Sequence, residues 1–311
     1  MIRIVSHPYV LLALTTLFWG GNAVAGKLAA GHVSPMLLTL MRWTFACCLM
    51  APFAIAHVRA EWPIIRRHLV RLFLLGACGF TLFNASLYLA LNYTTAINAT
   101  IEQSSMPLVV FVLNFLLFRT RVTPYQVAGF GLTLVGVALT ASHGDVTTLL
   151  TLSLNVGDAI MLFGVLVYGA YTVALRVKPD LSWQSTIFCL SVAAFLASIL
   201  AAGIEYSLGN TIWPDLTGTS AALYTAIFPA LIAQSLYIKG VEAIGPNRAN
   251  LFVNLVPIYG AGLAVLILGE TLEFYHLLAL AFVIGGILLA ERGGRKTWAD
   301  SAKNAGPSHP G

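Results

Sequence analysis

The chain has 311 residues, 58% of them hydrophobic and only 9% charged, with a mean hydropathy of +0.84. A water-soluble domain carries about a quarter charged residues, so this composition excludes one and points to an integral membrane protein. The formal charge of +5 and pI near 9.1 imply no nucleic-acid partner, because in a membrane chain the placement of basic residues matters more than their sum.

A spanning helix needs about 20 mostly apolar residues. Hydropathy divides the sequence into ten such stretches: 9–29, 35–56, 70–92, 96–118, 123–141, 155–176, 183–206, 219–241, 247–268 and 272–291. The expected fold is an all-α polytopic membrane protein embedded in a lipid bilayer. The first stretch begins close to Met1 and lacks an Ala-x-Ala cleavage context, which reads as a retained helix. Pro35, Pro124 and Pro246 fall near span starts, where proline costs a helix least. Beyond Glu291 the polar, Gly- and Pro-containing residues 292–311 are expected to be a disordered tail.

Basic residues test the span count. Arg3 precedes the first span. Arg59, Arg66, Arg67 and Arg71 fall in or beside the second loop, Arg119 and Arg121 in the fourth, Arg176 and Lys178 in the sixth, and Lys239 and Arg248 around the eighth. Arg292, Arg295, Lys296 and Lys303 lie in the tail. Of the 17 Lys and Arg, only Lys27, at the far end of the first span, and Arg42, inside the second, break the pattern. Ten spans with both termini cytoplasmic follow.

The halves repeat. SLYLALNYTTAINATIEQSSMP (86–107) aligns with SLYIKGVEAIGPNRANLFVNLVP (235–257), and GFGLTLVGVAL (129–139) parallels ALAFVIGGILL (279–289). We expect a first unit over 1–150 and a second over 151–291, each of five spans. Five is odd, so the second unit enters the membrane inverted, a construction that places a substrate site near the midplane between halves.

Polar side chains facing lipid are costly, so their helical spacing indicates a shared interior face. Asn98, Glu102 and Ser105 form such a stripe in span four, and Asn247, Asn250 and Asn254 in span nine. Thr15, Trp19 and Asn22 mark span one, and Thr81, Asn84 and Tyr88 span three. Tyr168 and Tyr171 mark span six, Gln234 and Tyr237 span eight. Together they predict a central aqueous cavity, with interhelical hydrogen bonding as the alternative reading. Glu102 and Arg42 lie at similar depth and are expected to pair. Pro107 and Pro257, near the centres of spans four and nine, are expected hinges. Asp158 reads as a helix cap and Lys27 as a snorkelling side chain. Gly129, Gly136, Gly285 and Gly286 suit close helix packing or a homodimer face. Cys47, Cys48, Cys78 and Cys189 fall inside apolar runs without ligand spacing, and the seven histidines form no ligand set; no metal or cofactor is expected.

LFWGGNAVAGK (17–27) and PNRANLFVNLVPIYGAGLAVLILGETL (246–272) resemble the signatures of the EamA-type branch of the drug/metabolite transporter superfamily. The resemblance covers about residues 8–291 and extends to the amino acid exporters that include the bacterial aromatic amino acid exporter. The Leu-Gly-Glu at 268–270 has Arg119-Thr120-Arg121 at the matching point of the first half, so the Glu270 helix cap is not duplicated. The resemblance implies a bacterial inner-membrane transporter with a ten-helix bundle around a central cavity, exporting amino acids or related metabolites by alternating access. It implies apolar and stacking contacts from Trp19, Tyr88, Tyr168, Tyr171 and Tyr237. Asn22, Asn84, Gln103 and Asn254, with Glu102, would orient the substrate's charged ends. An exporter of hydrophobic cations and a passive small-metabolite channel are the open alternatives. The lack of His-Glu-x-x-His, Gly-x-Ser-x-Gly or paired intramembrane aspartates argues against an enzyme.

Overall fold

The computed structural model describes residues 7–119, 123–145, 155–244, 249 and 252–304. Helix is the only regular structure among them, as expected where lipid offers a lone backbone no hydrogen-bond partner. Helix α1 (Pro8–Ala29) opens with proline in its first turn and α2 (Pro35–Ile65) does likewise after Ser34. An apolar helical stretch then runs 56 residues from Pro35 to Ala90. At 1.5 Å per residue that is about 84 Å, against a hydrocarbon core of about 30 Å. It breaks at the 3-10 turn Arg66–His68, where His68 leaves helical geometry and both arginines are exposed. Helix α3 (Leu69–Gly76), the π-helical segment Ala77–Leu82 and α4 (Phe83–Ala90) follow.

The next apolar stretch also divides. Helix α5 (Ala96–Gln103), capped by the Thr95 hydroxyl, ends at a turn over 104–105, and α6 (Met106–Phe118) resumes with Pro107 in its first turn. Helix α7 (Pro124–Ala141) starts with a capping box between Thr123 and Gln126. Asn155 caps α8 (Val156–Ala174), Ser182 caps α9 (Trp183–Ser207), and Asp215 caps α10 (Leu216–Thr225). A second π-helical segment, Ala226–Ile232, contains Pro229 and leads into α11 (Ala233–Ile244). A turn at 254–255 precedes α12 (Val256–Leu263), with Pro257 in its first turn and a third π-helical segment at Ala264–Leu268. Helix α13 (Phe274–Asn304) completes the described chain.

Two expectations change here. Pro107 and Pro257 do not bend continuous helices; each begins a new one, because a residue without an N–H fits a first turn, where that donor would be unpaired anyway. Residues 292–304, expected to be disordered, continue α13, since no proline interrupts the chain before Pro307. Of the span-nine stripe, Asn247 and Asn250 lie outside the described residues, as do Arg3, Arg121 and Arg248.

Small residues set the closest crossings. A Cβ on Gly129 would sit 2.4 Å from the Gly286 carbonyl oxygen, and one on Gly136 would sit 2.8 Å from that of Ala279, so α7 and α13 meet backbone to backbone. Gly129, Gly136 and Gly286 therefore serve packing within one chain, whereas nothing lies within 4 Å of a Cβ on Gly285. On the opposite side of the sequence map, α2 and α9 exchange caps. The Glu205 carboxylate accepts from Ser34 Oγ (2.5 Å) and from the N–H groups of Met36 and Leu37 at the start of α2. The Glu61 carboxylate accepts from the N–H and hydroxyl of Ser182 at the start of α9, both at 3.0 Å. Each acid meets the positive end of the partner helix, which fixes the two helices as antiparallel neighbours.

Candidate functional site

A guanidinium buried within an apolar bundle requires acceptors around it. Arg42, on α2, is 5% exposed. Its Nη1 donates to Asn22 Oδ1 on α1 and to Tyr88 Oη on α4, both at 2.6 Å, and the Tyr88 hydroxyl donates to the same Asn22 oxygen at 3.0 Å. This triangle ties three helices together. The guanidinium also lies 5.1 Å from the centre of the Trp43 ring, within cation–π range.

The expected Arg42–Glu102 pair does not form. Among the described residues the ion pairs are His32–Asp215 and His143–Asp158. Helix α5 packs against α1, α7, α8, α12 and α13, which directs Glu102 to a different part of the bundle from α2. Equal depth in the membrane does not make two helices neighbours. Glu102 is fully buried, and neither carboxylate oxygen has a hydrogen-bond partner among the described residues.

Unsatisfied polar atoms gather beside Arg42. Its Nε, the Trp43 indole Nε1 and Asn84 Oδ1 are buried without partners among the described residues, although Asn84 Nδ2 donates to the Phe80 carbonyl at 2.7 Å. Native structures leave few such atoms, and each calls for an explanation. An aromatic run begins at the same place. Trp43 stacks on Phe80 at 4.7 Å, Phe80 meets Tyr171 edge-on at 5.9 Å, Tyr171 lies 5.3 Å from Tyr168, and Tyr168 lies 4.8 Å from Phe83. Trp19 and Tyr237 form a separate pair at 5.3 Å, with Tyr237 in electrostatic range of Tyr168. The π-helical segment Ala77–Leu82 turns Phe80 toward this region, and Gly79 makes room, since a Cβ there would sit 2.2 Å from the Tyr171 ring.

The structure thus brings Asn22, Asn84, Tyr88 and Arg42 together, with Tyr168 and Tyr171 at the end of the aromatic run. Gln103 and Asn254 stand apart at the breaks before α6 and α12; both are partly exposed, and Asn254 Nδ2 is unpartnered among the described residues. Sequence reasoning missed Trp43, Phe80 and Phe83. Phe80, Asn84 and Tyr88 recur every four residues, a spacing that could have drawn Phe80 into the set. Lys27 does not snorkel; its ammonium donates to the carbonyls of Leu91 (2.8 Å) and Thr94 (2.7 Å) at the end of the α4 segment. Glu270 is the helix cap expected, accepting from the Ala96 and Ile97 N–H groups at 2.8 and 3.0 Å.

A cavity of about 650 Å³ opens between α1, α10 and the π-helical end of α12, lined by Leu17, Phe18, Gly21, Tyr224, Leu263 and Ile267 among others. None of the polar candidates lines it. It lies along the apolar face of α1, away from Asn22.

Comparison with known proteins places this architecture. The transporter YyaM of Bacillus subtilis, itself uncharacterized, is 25% identical over 289 residues, spanning 91% of this chain and 92% of YyaM. An uncharacterized transporter of Archaeoglobus fulgidus is 26% identical over 293 residues, covering 91% and 97%. The uncharacterized inner membrane transporter YicL of Salmonella typhimurium is 21% identical over 299 residues, covering 91% and 94%. A protein of known crystal structure shares the fold with a TM-score of 0.60 over 93% of this chain and 98% of its own, at 19% identity. The model of the EamA-like transporter family matches twice, over residues 7–142 and again over 155–291, and the chain belongs to that family of multi-pass membrane transporters.

Proposed function

We propose that the protein is a secondary transporter that exports amino acids or related small metabolites by alternating access, across a bacterial inner membrane with both termini cytoplasmic. Ten spans in two inverted five-span units are part of this reading. Paired backbone irregularities support it: π-helical segments at Ala77–Leu82 and Ala226–Ile232, turns at 104–105 and 254–255, and the exchanged caps Glu61–Ser182 and Glu205–Ser34. Broken helices of this kind are tolerated in membranes where they are buried in protein or border a cavity.

The observation that carries the substrate class is the Arg42 cluster. A buried cation with an unpartnered Nε, beside an unpartnered indole N–H, offers donors for a carboxylate; Asn84 Oδ1 offers an acceptor for an ammonium. The run from Trp43 to Tyr168 offers ring faces for an apolar or aromatic side chain. Counterflow of labelled amino acids in proteoliposomes tests this. We expect uptake of at least one aromatic amino acid against its gradient, lost in Arg42→Met. No counterflow across the amino acid panel overturns the substrate class, and downhill flux without counterflow assigns a channel.

A second reading, export of hydrophobic cations, draws on the unpartnered Glu102 carboxyl and the aromatic lining. Counterflow of labelled tetraphenylphosphonium in the same vesicles, without any amino acid counterflow, would favour it.

A further inference from the structure

A second polar cluster lies at the end of the bundle where α4, α7 and α13 meet the start of α5 and α8, remote in function from the Arg42 triangle. Asp158, on the first turn of α8, is fully buried, as is Glu102 on α5. Their surroundings differ. The Thr94 hydroxyl donates to Asp158 Oδ1, and His143 Nε2 lies 3.2 Å from Asp158 Oδ2. Glu102 has no donor on either oxygen among the described residues.

The hydrogen bonds in this cluster run in one direction. His276 is 3% exposed, and its Nδ1 accepts from the Glu273 N–H at 2.9 Å, which leaves the proton on Nε2. Nε2 donates to Asn98 Oδ1 at 3.0 Å, Asn98 Nδ2 donates to Thr94 Oγ1 at 3.4 Å, and Thr94 donates onward to Asp158. Every donor is aimed at Asp158, the arrangement that suits a carboxylate there. Glu102 lies one helical turn beyond Asn98. Helical side chains lean toward the N-terminus, which tips the Glu102 carboxyl back toward this layer, and the two acids act on each other electrostatically. Two buried carboxylates at short range do not both stay ionised. The one without donors takes the proton, since a buried charge without partners is costly.

His143 supplies access. It sits in left-handed geometry (φ 53°) just after α7, with a side chain 41% exposed, so one imidazole spans from solvent to Asp158. Tyr275 Oη is 3.5 Å from its Nδ1.

Other groups on the elements packed against α5 do not neutralise the pair. Lys27 of α1 is held by the Leu91 and Thr94 carbonyls, and Glu270 by the start of α5. Helix α8 adds Tyr168 and Tyr171, α12 adds Tyr259, α13 adds Tyr275 and His276, α7 adds Tyr125, and the adjoining loops add Asp145 and Glu273. None of these is a cation facing the two acids, among the described residues.

We propose that Glu102 and Asp158 form a proton-binding site, loaded through His143, that couples transport to a proton gradient. The proton leaves His143 Nε2 for Asp158 Oδ2, and His143 regains one from water at Nδ1 as its tautomer resets. Transfer from Asp158 to Glu102 forms the Glu102 O–H and restores the Asp158 carboxylate. In the exporter orientation His143 faces outside, so one proton would enter as substrate leaves. The coupling rests on the transporter reading; the site itself does not.

Infrared difference spectra of the purified full chain in nanodiscs test the site without any substrate. We expect a protonated-carboxyl band that titrates with pH, exchanges in D₂O and disappears in Glu102→Gln. His143→Ala should keep the band and slow its exchange by about tenfold or more, on the scale of a lost proton-transfer group. A band unchanged in Glu102→Gln overturns the proposal. If that variant does not fold, unchanged titration and exchange in both Asp158→Asn and His143→Ala overturn it instead. The coupling is read with a pH dye trapped in vesicles: amino acid counterflow without proton movement refutes it. Absence of counterflow with the infrared signature intact refutes the substrate reading alone.

Discussion

Tyr88→Phe isolates the hydrogen bonds of the Arg42 triangle while keeping the ring, which is 1% exposed and packs against Gly26. The lost hydroxyl accepts from the Arg42 guanidinium at 2.6 Å and donates to Asn22 Oδ1 at 3.0 Å. Hydrogen bonds to charged groups contribute about 1.5–3 kcal/mol. Neutral bonds between membrane helices average about 0.6 kcal/mol. The sum is about 2–4 kcal/mol, and the upper end applies if Arg42 finds no replacement acceptor, because its Nε already lacks one. Reversible unfolding of the purified protein in mixed micelles measures this loss directly. A double-mutant cycle with Asn22→Ala should show a coupling of at least about 0.5 kcal/mol, as residues in one network do. A loss below about 0.5 kcal/mol for Tyr88→Phe, with no coupling to Asn22, would refute the view that this triangle holds α1, α2 and α4 together.

Gly20→Ala places a Cβ 2.7 Å from the Gly260 backbone nitrogen and 3.0 Å from the Val256 carbonyl oxygen, neither of which is the end of a flexible side chain. Overpacking of that kind should cost about 1–3 kcal/mol in the same unfolding assay. Glu270→Gln removes the negative charge accepting two N–H groups at the start of α5; a loss of about 0.5–2 kcal/mol is expected, the range of a helix cap. At the exposed end of α10, the Gly218 N–H and then His32 hold the Asp215 carboxyl below its usual range. A lowered carboxyl contributes stability that is present above its unfolded value of about 3.9 and lost as pH falls through the folded value. The stability difference between wild type and Asp215→Asn should therefore shrink below about pH 4, and a difference that stays constant into stronger acid would contradict the assignment.

Much of the fold was legible because lipid imposes a length and a composition on every crossing helix. The first apolar stretch was expected at 9–29 and found at Pro8–Ala29; the fifth was expected at 123–141 and found at Pro124–Ala141. The breaks inside such stretches were not legible. Hydropathy is blind to backbone hydrogen bonding, so the turns at 104–105 and 254–255 and the π-helical segments appear only in the coordinates. Pro107 and Pro257 marked the right places and were given the wrong geometry.

The candidate site shows the same division. Burial of Asn22, Asn84, Tyr88, Glu102 and Tyr171 followed from the cost of polar groups in lipid, a property each residue carries alone. Partnership is a property of pairs of helices, and depth along the membrane fixes only one coordinate of three. That is why Arg42 was matched to Glu102, when the packing of α2 gives it Asn22 and Tyr88 instead. The histidines were passed over for a related reason. His143, His276 and Asp158 are far apart in the chain and share no spacing, so only the folded bundle sets them around Thr94 and Asn98. The sequence by itself determined which segments enter the membrane and which side chains must hide there; the tertiary structure alone decided which of them meet, because contact between helices depends on rotation and crossing geometry that no single helix encodes.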